Sequence, residues 1–384
     1  IYTSIDGGNR WVKLSGGIPT ISFRDIAIQK RENDLVGASF GRSFFVLDDY
    51  SALRDVDEET FKKEATLFNL RDALLYIPRA SQTFWGKGSQ GASYFIAPNP
   101  PFGAVFTYYL SENYTTKKSA RKKAEAKLKK EKKDIPFPGW DELDAELKEE
   151  KPVVILTIKD GSGNVVRRIK AETGKGFHRI AWDLRYPNIR AINLQSKRVY
   201  DEYSSGSGFL VVPGTYYASL SKRINGVTTQ LTDSVSFNVV QMQEGTLPGT
   251  PPAEILNFGK EVNELLMANS ALNTILDNAK RKVAAMRKAL LVVETQDDQL
   301  YNDIYKVKVD LDNVERKLYG SNAKKEIGEK NDPTISGRIW GAIGGLQNTT
   351  YGPTQTQRMN FDIAKVEFGE IKEAESMSKE IGFK

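Results

Sequence analysis

The stretch Ser4-Ile5-Asp6-Gly7-Gly8-Asn9-Arg10-Trp11 decides how this chain is read. A carboxylate at Asp6 accepts backbone N–H groups inside a tight turn, and Gly7 and Gly8 permit the positive φ that such a turn demands. Trp11 is then expected to pack between neighbouring strands. Working outward, residues 24–28, 34–38 and 43–49 are short runs of strand character bounded by turn residues. Residues 1–54 thus hold material for about one four-stranded sheet and a little more. A single small sheet of this kind cannot bury both of its faces.

The spacing Ser4-x-Asp6-x-Gly8-x-x-Trp11 resembles the Asp-box, a hairpin turn of sialidase-like and sortilin-like β-propellers. Such a box is a structural turn, remote from a propeller's binding face. The run Gly41-Arg42-Ser43-Phe44-Phe45-Val46-Leu47-Asp48-Asp49 resembles the end of the propeller in large bacterial Asp-box (BNR/sortilin-like) repeat proteins. In that family it is followed in order by three stretches, found here as Asn99-Pro100-Pro101-Phe102-Gly103-Ala104, Trp182-Asp183-Leu184-Arg185-Tyr186-Pro187 and Pro213-Gly214-Thr215-Tyr216. A helical tail comes last. The resemblance covers most of the chain. It implies the C-terminal part of a larger exported bacterial protein, placed in the periplasm, on the cell surface or outside the cell. Its propeller would be completed by an upstream segment or by another chain. Members are often labelled glycosyl hydrolase by their repeats.

The remaining residues predict a multidomain α+β chain, as 384 residues exceed one ordinary core. Residues 55–92 read as a connector. Residues 93–244 read as an Ig-like β-sandwich, with strands at 94–97, 104–110, 153–159, 165–171, 177–184, 214–223 and 230–240, Trp182 in its core and Tyr216 beside it. The Gly/Pro-rich run 245–252 marks a boundary. Residues 253–384 show apolar side chains at spacings of three and four, including Phe258, Val262, Leu265, Leu276 and Val283, and then Ile304, Leu311 and Leu318. That pattern predicts a bundle of three or four helices. Breaks fall at Asn331-Asp332-Pro333 and at Tyr351-Gly352-Pro353-Thr354.

Residues 111–150 form a charged insertion in the sandwich. Its first half is rich in lysine and its second half in Asp and Glu, a composition that favours helix. It reads as a solvated helical arm whose charges partly offset. The alternative is a basic arm for an anionic polymer or a lipid headgroup. No aromatics interleave with the lysines, which argues against single-stranded nucleic acid. The net charge of +6 adds no concentrated basic face of the kind nucleic acid requires.

Several chemistries are excluded outright. With no cysteine there is no thiol nucleophile, disulfide or Cys-ligated zinc, and with one histidine, His178, there is no multi-histidine metal site. No Gly-x-Ser-x-Gly elbow accompanies His178, which reads as a packed or surface residue. No phosphate loop is present, and no run is long and apolar enough to span a membrane. Asp160-Gly161-Ser162-Gly163-Asn164 reads as a hairpin turn rather than a Ca²⁺ loop. Asp48 and Asp49 read as strand-end residues, because neighbours on a strand face opposite ways. No catalytic, cofactor-binding or metal-binding residue is assigned. Trp85, Trp140, Tyr200 and Tyr203 are the exposed-aromatic candidates for stacking on a ligand such as a sugar, the alternative for each being burial at a domain junction. Two functional classes follow. One is a non-catalytic interaction or scaffold portion that docks a protein or glycan at the cell envelope. The other is the C-terminal portion of a sialidase-like hydrolase whose catalytic blades lie elsewhere.

Overall fold

A computed structural model describes residues 1–78, 95–188, 190–194, 203, 206–292 and 298–380. Trp85 and Tyr200 lie outside them. The chain forms two compact units, one of residues 1–184 and 213–242, the other of residues 185–212 and 243–384.

The first unit opens with a hairpin of β1 (Tyr2–Thr3) and β2 (Val12–Lys13). An antiparallel meander follows, made of β3 (Phe23–Gln29), β4 (Asp34–Ser39) and β5 (Phe44–Leu47). These strands fall where the sequence places them. Register sorts their side chains: Ile26, Ile28, Leu35, Phe45 and Leu47 share one face, while Ala27, Val36, Ala38, Phe44 and Val46 share the other. An antiparallel sheet with one wet face alternates apolar and polar residues. This one is apolar on both faces.

After a 3₁₀ turn (Tyr50–Arg54) and α1 (Glu58–Lys62), the chain forms β6 (Ala65–Leu67) and β7 (Ala73–Leu75), then β8 (Ala104–Leu110). The helices α2 (Lys117–Lys130) and α3 (Trp140–Lys148) come next, then β9 (Val153–Asp160), β10 (Val165–Ala171) and β11 (Gly176–Trp182). β12 (Arg185–Asn188) and β13 (Gly206–Leu210) belong to the second unit. The chain returns to the first as β14 (Gly214–Ile224), β15 (Val227–Gln230) and β16 (Val235–Gln241). One sheet runs β10-β9-β14-β16-β7, with β15 paired to β14; a second runs β11-β8-β6. The stretch expected as a connector therefore supplies a strand to each sheet, β7 lying parallel to β16 and β6 antiparallel to β8. Of the strand expected at 94–97, residues 95–97 are not a strand and Tyr94 lies outside the described residues.

The two sheets meet through an aromatic layer. Phe106 and Trp182 come from one sheet, Tyr216 and Phe237 from the other. Ring centroids lie 5.2 Å apart for Phe106–Phe237, 5.5 Å for Trp182–Tyr216 and 6.2 Å for Trp182–Phe237. Val154, Leu156, Ile158 and Leu220 fill in around them and are fully buried. The opposite face of β8 sends Tyr109 to a smaller cluster with Ala52, Val56 and Phe68. Three stretches far apart in sequence thus converge on Trp182. Tyr216 packs on its ring, and Gly103 sits against its backbone, with Ala104 paired to Trp182 in register. Gly103 has φ +102°, and a Cβ there would lie 1.9 Å from the Trp182 carbonyl oxygen.

The second unit is mainly helical: α4 (Pro252–Leu290), α5 (Asp298–Tyr319), the short α6 (Asn322–Glu326), α7 (Ile335–Gln347) and α8 (Gln355–Glu380). Val262, Leu318, Ile339, Ala342, Phe361 and Ala364 form its core. Both expected breaks are built as caps. The Thr334 hydroxyl accepts the Gly337 N–H, while Thr354 and Gln357 cap each other reciprocally. One expectation changes here. Residues 185–212, counted with the sandwich in the sequence, belong to the helical unit. Their hairpin stacks Tyr186 on Phe209 at 4.5 Å, buries Phe209 in the helical core, and holds the Gln347 carbonyl through Arg185 at 3.1 Å. No described helix is long and apolar enough to cross a membrane.

Gly103→Ala tests the convergence on Trp182. It forces an L-residue into positive φ and drives a methyl into a carbonyl, so it is expected to lower the unfolding free energy by about 3 kcal/mol or more. Urea unfolding of the first unit's signal measures this, and a loss under about 1 kcal/mol would show that the contact is not rigid.

Candidate functional site

Ser4, Asp6, Gly8 and Trp11 come together in the β1–β2 turn. The Ser4 hydroxyl donates to Asp6 Oδ1 at 2.8 Å, and the Gly8 N–H donates to Ser4 Oγ at 2.8 Å. The Arg10 N–H reaches Asp6 Oδ1 at 2.9 Å. The Arg10 N–H, then the Ser4 hydroxyl, hold the Asp6 carboxyl below the usual aspartate range. These bonds are all local and leave the carboxylate engaged by its own turn. Trp11 departs from expectation: it is 63% exposed rather than packed between strands.

The other residues singled out in the sequence have mostly structural neighbours. His178 Nε2 lies 2.6 Å from the Gly174 carbonyl, and its ring stacks on Tyr108. Asp160 accepts the N–H groups of Ser162 and Asn164 at 3.0 and 2.9 Å, which closes the β9–β10 hairpin. Trp140 is exposed, and its ring neighbour is Phe137. Tyr203 lies in a turn of the second unit, half-buried.

Sequence reasoning missed a cleft of about 300 Å³ in the first unit. The end of β5 brings Asp48 and Asp49 to it, the β6–β7 segment brings Arg71 and Asp72, and β11 brings Arg179. Tyr76 and Phe102 supply two rings, with centroids 4.8 Å apart and planes nearly perpendicular. Most of these charges are already committed. Arg71 pairs with Glu32. Asp72 accepts from Asn238 Nδ2 at 3.1 Å. Arg179 Nη2 donates to the Asp49 carbonyl at 2.8 Å. Asp49 sits at φ 40°, where its carboxylate caps the 3₁₀ turn through Ser51 and its N–H donates to Asp34 Oδ1 at 2.9 Å. This is the strand-end role the sequence assigns it.

Asp48 is different. Its carboxylate makes no hydrogen bond with the described residues and lines the cleft. Partial burial, then the nearby Asp34 charge, push it above the usual aspartate range, while Arg179 and Arg71 pull the other way. A partly buried acceptor near two guanidiniums, in a cleft that also holds two aromatic rings, suits a ligand that donates hydrogen bonds and offers an apolar face. Glu32, Asp49 and Asp72, held by other partners, make a poor second carboxylate for glycosidic cleavage. Nothing local marks Asp48 in the sequence, because Arg71, Phe102 and Arg179 reach it only through the fold.

The shift sets a pH signature. A carboxyl raised in the folded state makes folding less favourable as pH climbs from its unfolded to its folded pKa, with no further change above. Relative to wild type, Asp48→Asn is therefore expected to be level below both values and to gain stability as pH rises through that window. Paired urea titrations from acid to neutral pH measure the difference, and a pH-independent difference would mean that Asp48 is solvated like any surface aspartate.

Compared with protein-family models, with curated proteins and with solved structures, the chain matches none.

Proposed function

We propose that this chain is the interaction or scaffold portion of an exported bacterial Asp-box propeller protein, and that it docks a protein or glycan partner at the cell envelope. The observation that carries the reading is the uncovered apolar surface of the β3–β4–β5 meander. Phe44 is 68% and Val46 53% exposed on one face, while Ile26 and Ile28 are half exposed on the other. Below the second face, Ile1, Leu14, Tyr50 and Leu53 leave a cavity of about 550 Å³. Covering what remains exposed of each such side chain stabilises by roughly 1 kcal/mol. A sheet that is apolar on both faces and unfilled beneath one of them is suited to stacking between neighbouring blades. In this reading the Asp-box turn and the meander belong to the final turns of a propeller whose other blades lie outside this chain, with no cofactor called for.

A second reading is supported by the cleft. Asp48, the two arginines and the rings of Tyr76 and Phe102 form a surface suited to a sugar, which fits a glycan-active parent whose catalytic blades are elsewhere. The tied carboxylates around Asp48 favour binding over cleavage within this chain.

The docking reading has a direct test. Without its partner, the chain is expected to self-associate through the meander with rising concentration in sedimentation velocity. Phe44→Ser with Val46→Ser is expected to return it to monomer and to change unfolding free energy by no more than about 0.5 kcal/mol, since both side chains already face solvent. A wild-type chain that stays monomeric, or a double variant that loses several times that stability, contradicts the reading.

A further inference from the structure

The cleft that holds Asp48 carries a net charge. Among the described residues that line it, four carboxylates, Glu32, Asp48, Asp49 and Asp72, stand against two guanidiniums, Arg71 and Arg179, with no lysine or histidine. Two further charges adjoin it. Arg31, outside the lining, pairs with Glu32 at 2.9 Å. Asp34 lies close enough to Asp48 to act on its carboxyl. Counting both, five carboxylates face three guanidiniums, so an excess of two negative charges remains.

The excess is felt most at one group. Glu32 is held by Arg31 and Arg71, Asp49 by the Ser51 hydroxyl at 2.6 Å, and Asp72 by Asn238 at 3.1 Å. Asp48 has no such bond among the described residues. Partial burial and then the Asp34 charge make its ionised form costly, and a cation set against it removes that cost. The rest of the wall is largely apolar. Tyr76 and Phe102 bring their two rings, and Pro100, Pro101 and Met242 belong to the same lining. A concave site with an apolar wall and a few placed polar groups is what a small ligand or one unit of a polymer needs.

We infer, building on the sugar reading of this cleft, that its ligand is an amino sugar with a free amine, the ammonium set against Asp48 and a C–H face of the ring against Tyr76 or Phe102. A neutral sugar leaves the negative excess unanswered, and a sugar acid is repelled by it. A lysine side chain also brings a cation, but it has three donors and no acceptor. The N–H groups that Arg71 and Arg179 do not use on Glu32 and Asp49 would only repel it. Sugar hydroxyls both accept and donate, so the same guanidiniums become partners. An amino sugar thus uses all three features of the cleft: the carboxylate, the guanidiniums and the rings.

Calorimetric titration of the full chain tests this at about pH 6, below the range of an amine and above that of an ordinary carboxyl. The probes are a glucosamine tetramer, its fully N-acetylated counterpart and tetralysine. The glucosamine tetramer is expected to bind about tenfold or more tightly than the N-acetylated one, because acetylation removes the charge from the amine. Asp48→Asn is expected to abolish that difference, and Tyr76→Ser to weaken both saccharides alike. Circular dichroism checks that both variants fold, which Asp48→Asn is expected to do because no described hydrogen bond is lost. Equal binding of the two tetramers overturns the inference and leaves the sugar reading standing. Binding of neither overturns both. Tetralysine bound as tightly as the glucosamine tetramer, and through Asp48, assigns the cleft to a lysine side chain of a protein partner and overturns the inference too.

Discussion

The structure turns on one constraint: the apolar face of a sheet must be covered. Where the chain covers it, the fold is specified. Trp182 lies fully buried between two sheets, with Tyr216 and Phe237 against its ring and Gly103 under its carbonyl. Each contact needs the others, because the close approach at Gly103 sets where β8 meets β11, and that pairing aims Phe106 at Phe237. Residues 23–47 obey the same rule but leave it unmet. Their register is as regular as that of the central sheets, yet Phe44, Val46, Ile26 and Ile28 face solvent. The strands are formed, and among the described residues these side chains are left without cover.

What was legible in the sequence was local. The Asp6 turn could be read because its donors and acceptors lie within a few residues. The long helices could be read because a three-four rhythm over many residues has few alternatives, and the Thr354–Gln357 cap is visible as a spacing. The strands of the meander were legible through turn residues at their ends. The mixed α+β class followed from these pieces. The short strands β6 and β7 were not legible, since three residues carry no usable period and their pairing is decided by β8 and β16. The same holds for residues 185–212. The sequence places no strand there and counts the segment with the sandwich by position alone, whereas burial of Phe209 in the helical core and the Arg185 contact to Gln347 assign it to the second unit.

The cleft was illegible for a related reason. Asp48 and Asp49 are neighbours with the same side chain, and sequence gives them one role. The fold separates them: Asp49 bends into positive φ to cap a turn, and Asp48 is left partly buried near Arg71 from the β6–β7 segment and Arg179 from β11. Of the aromatics singled out in the sequence, Trp140 is the most exposed among the described residues, and it packs against Phe137 on the charged arm rather than in a cleft.

We propose that the 23–47 meander depends on a surface outside this chain, whereas the Trp182 core does not. Amide hydrogen exchange on the isolated chain, resolved by peptide, tests it most directly. β3, β4 and β5 are expected to exchange through local opening, at least about a hundredfold faster than β8, β9 and β14, which open only with the core. Equal protection of the meander and the central sheets would contradict it, and would mean that residues 23–47 are stable without any further cover.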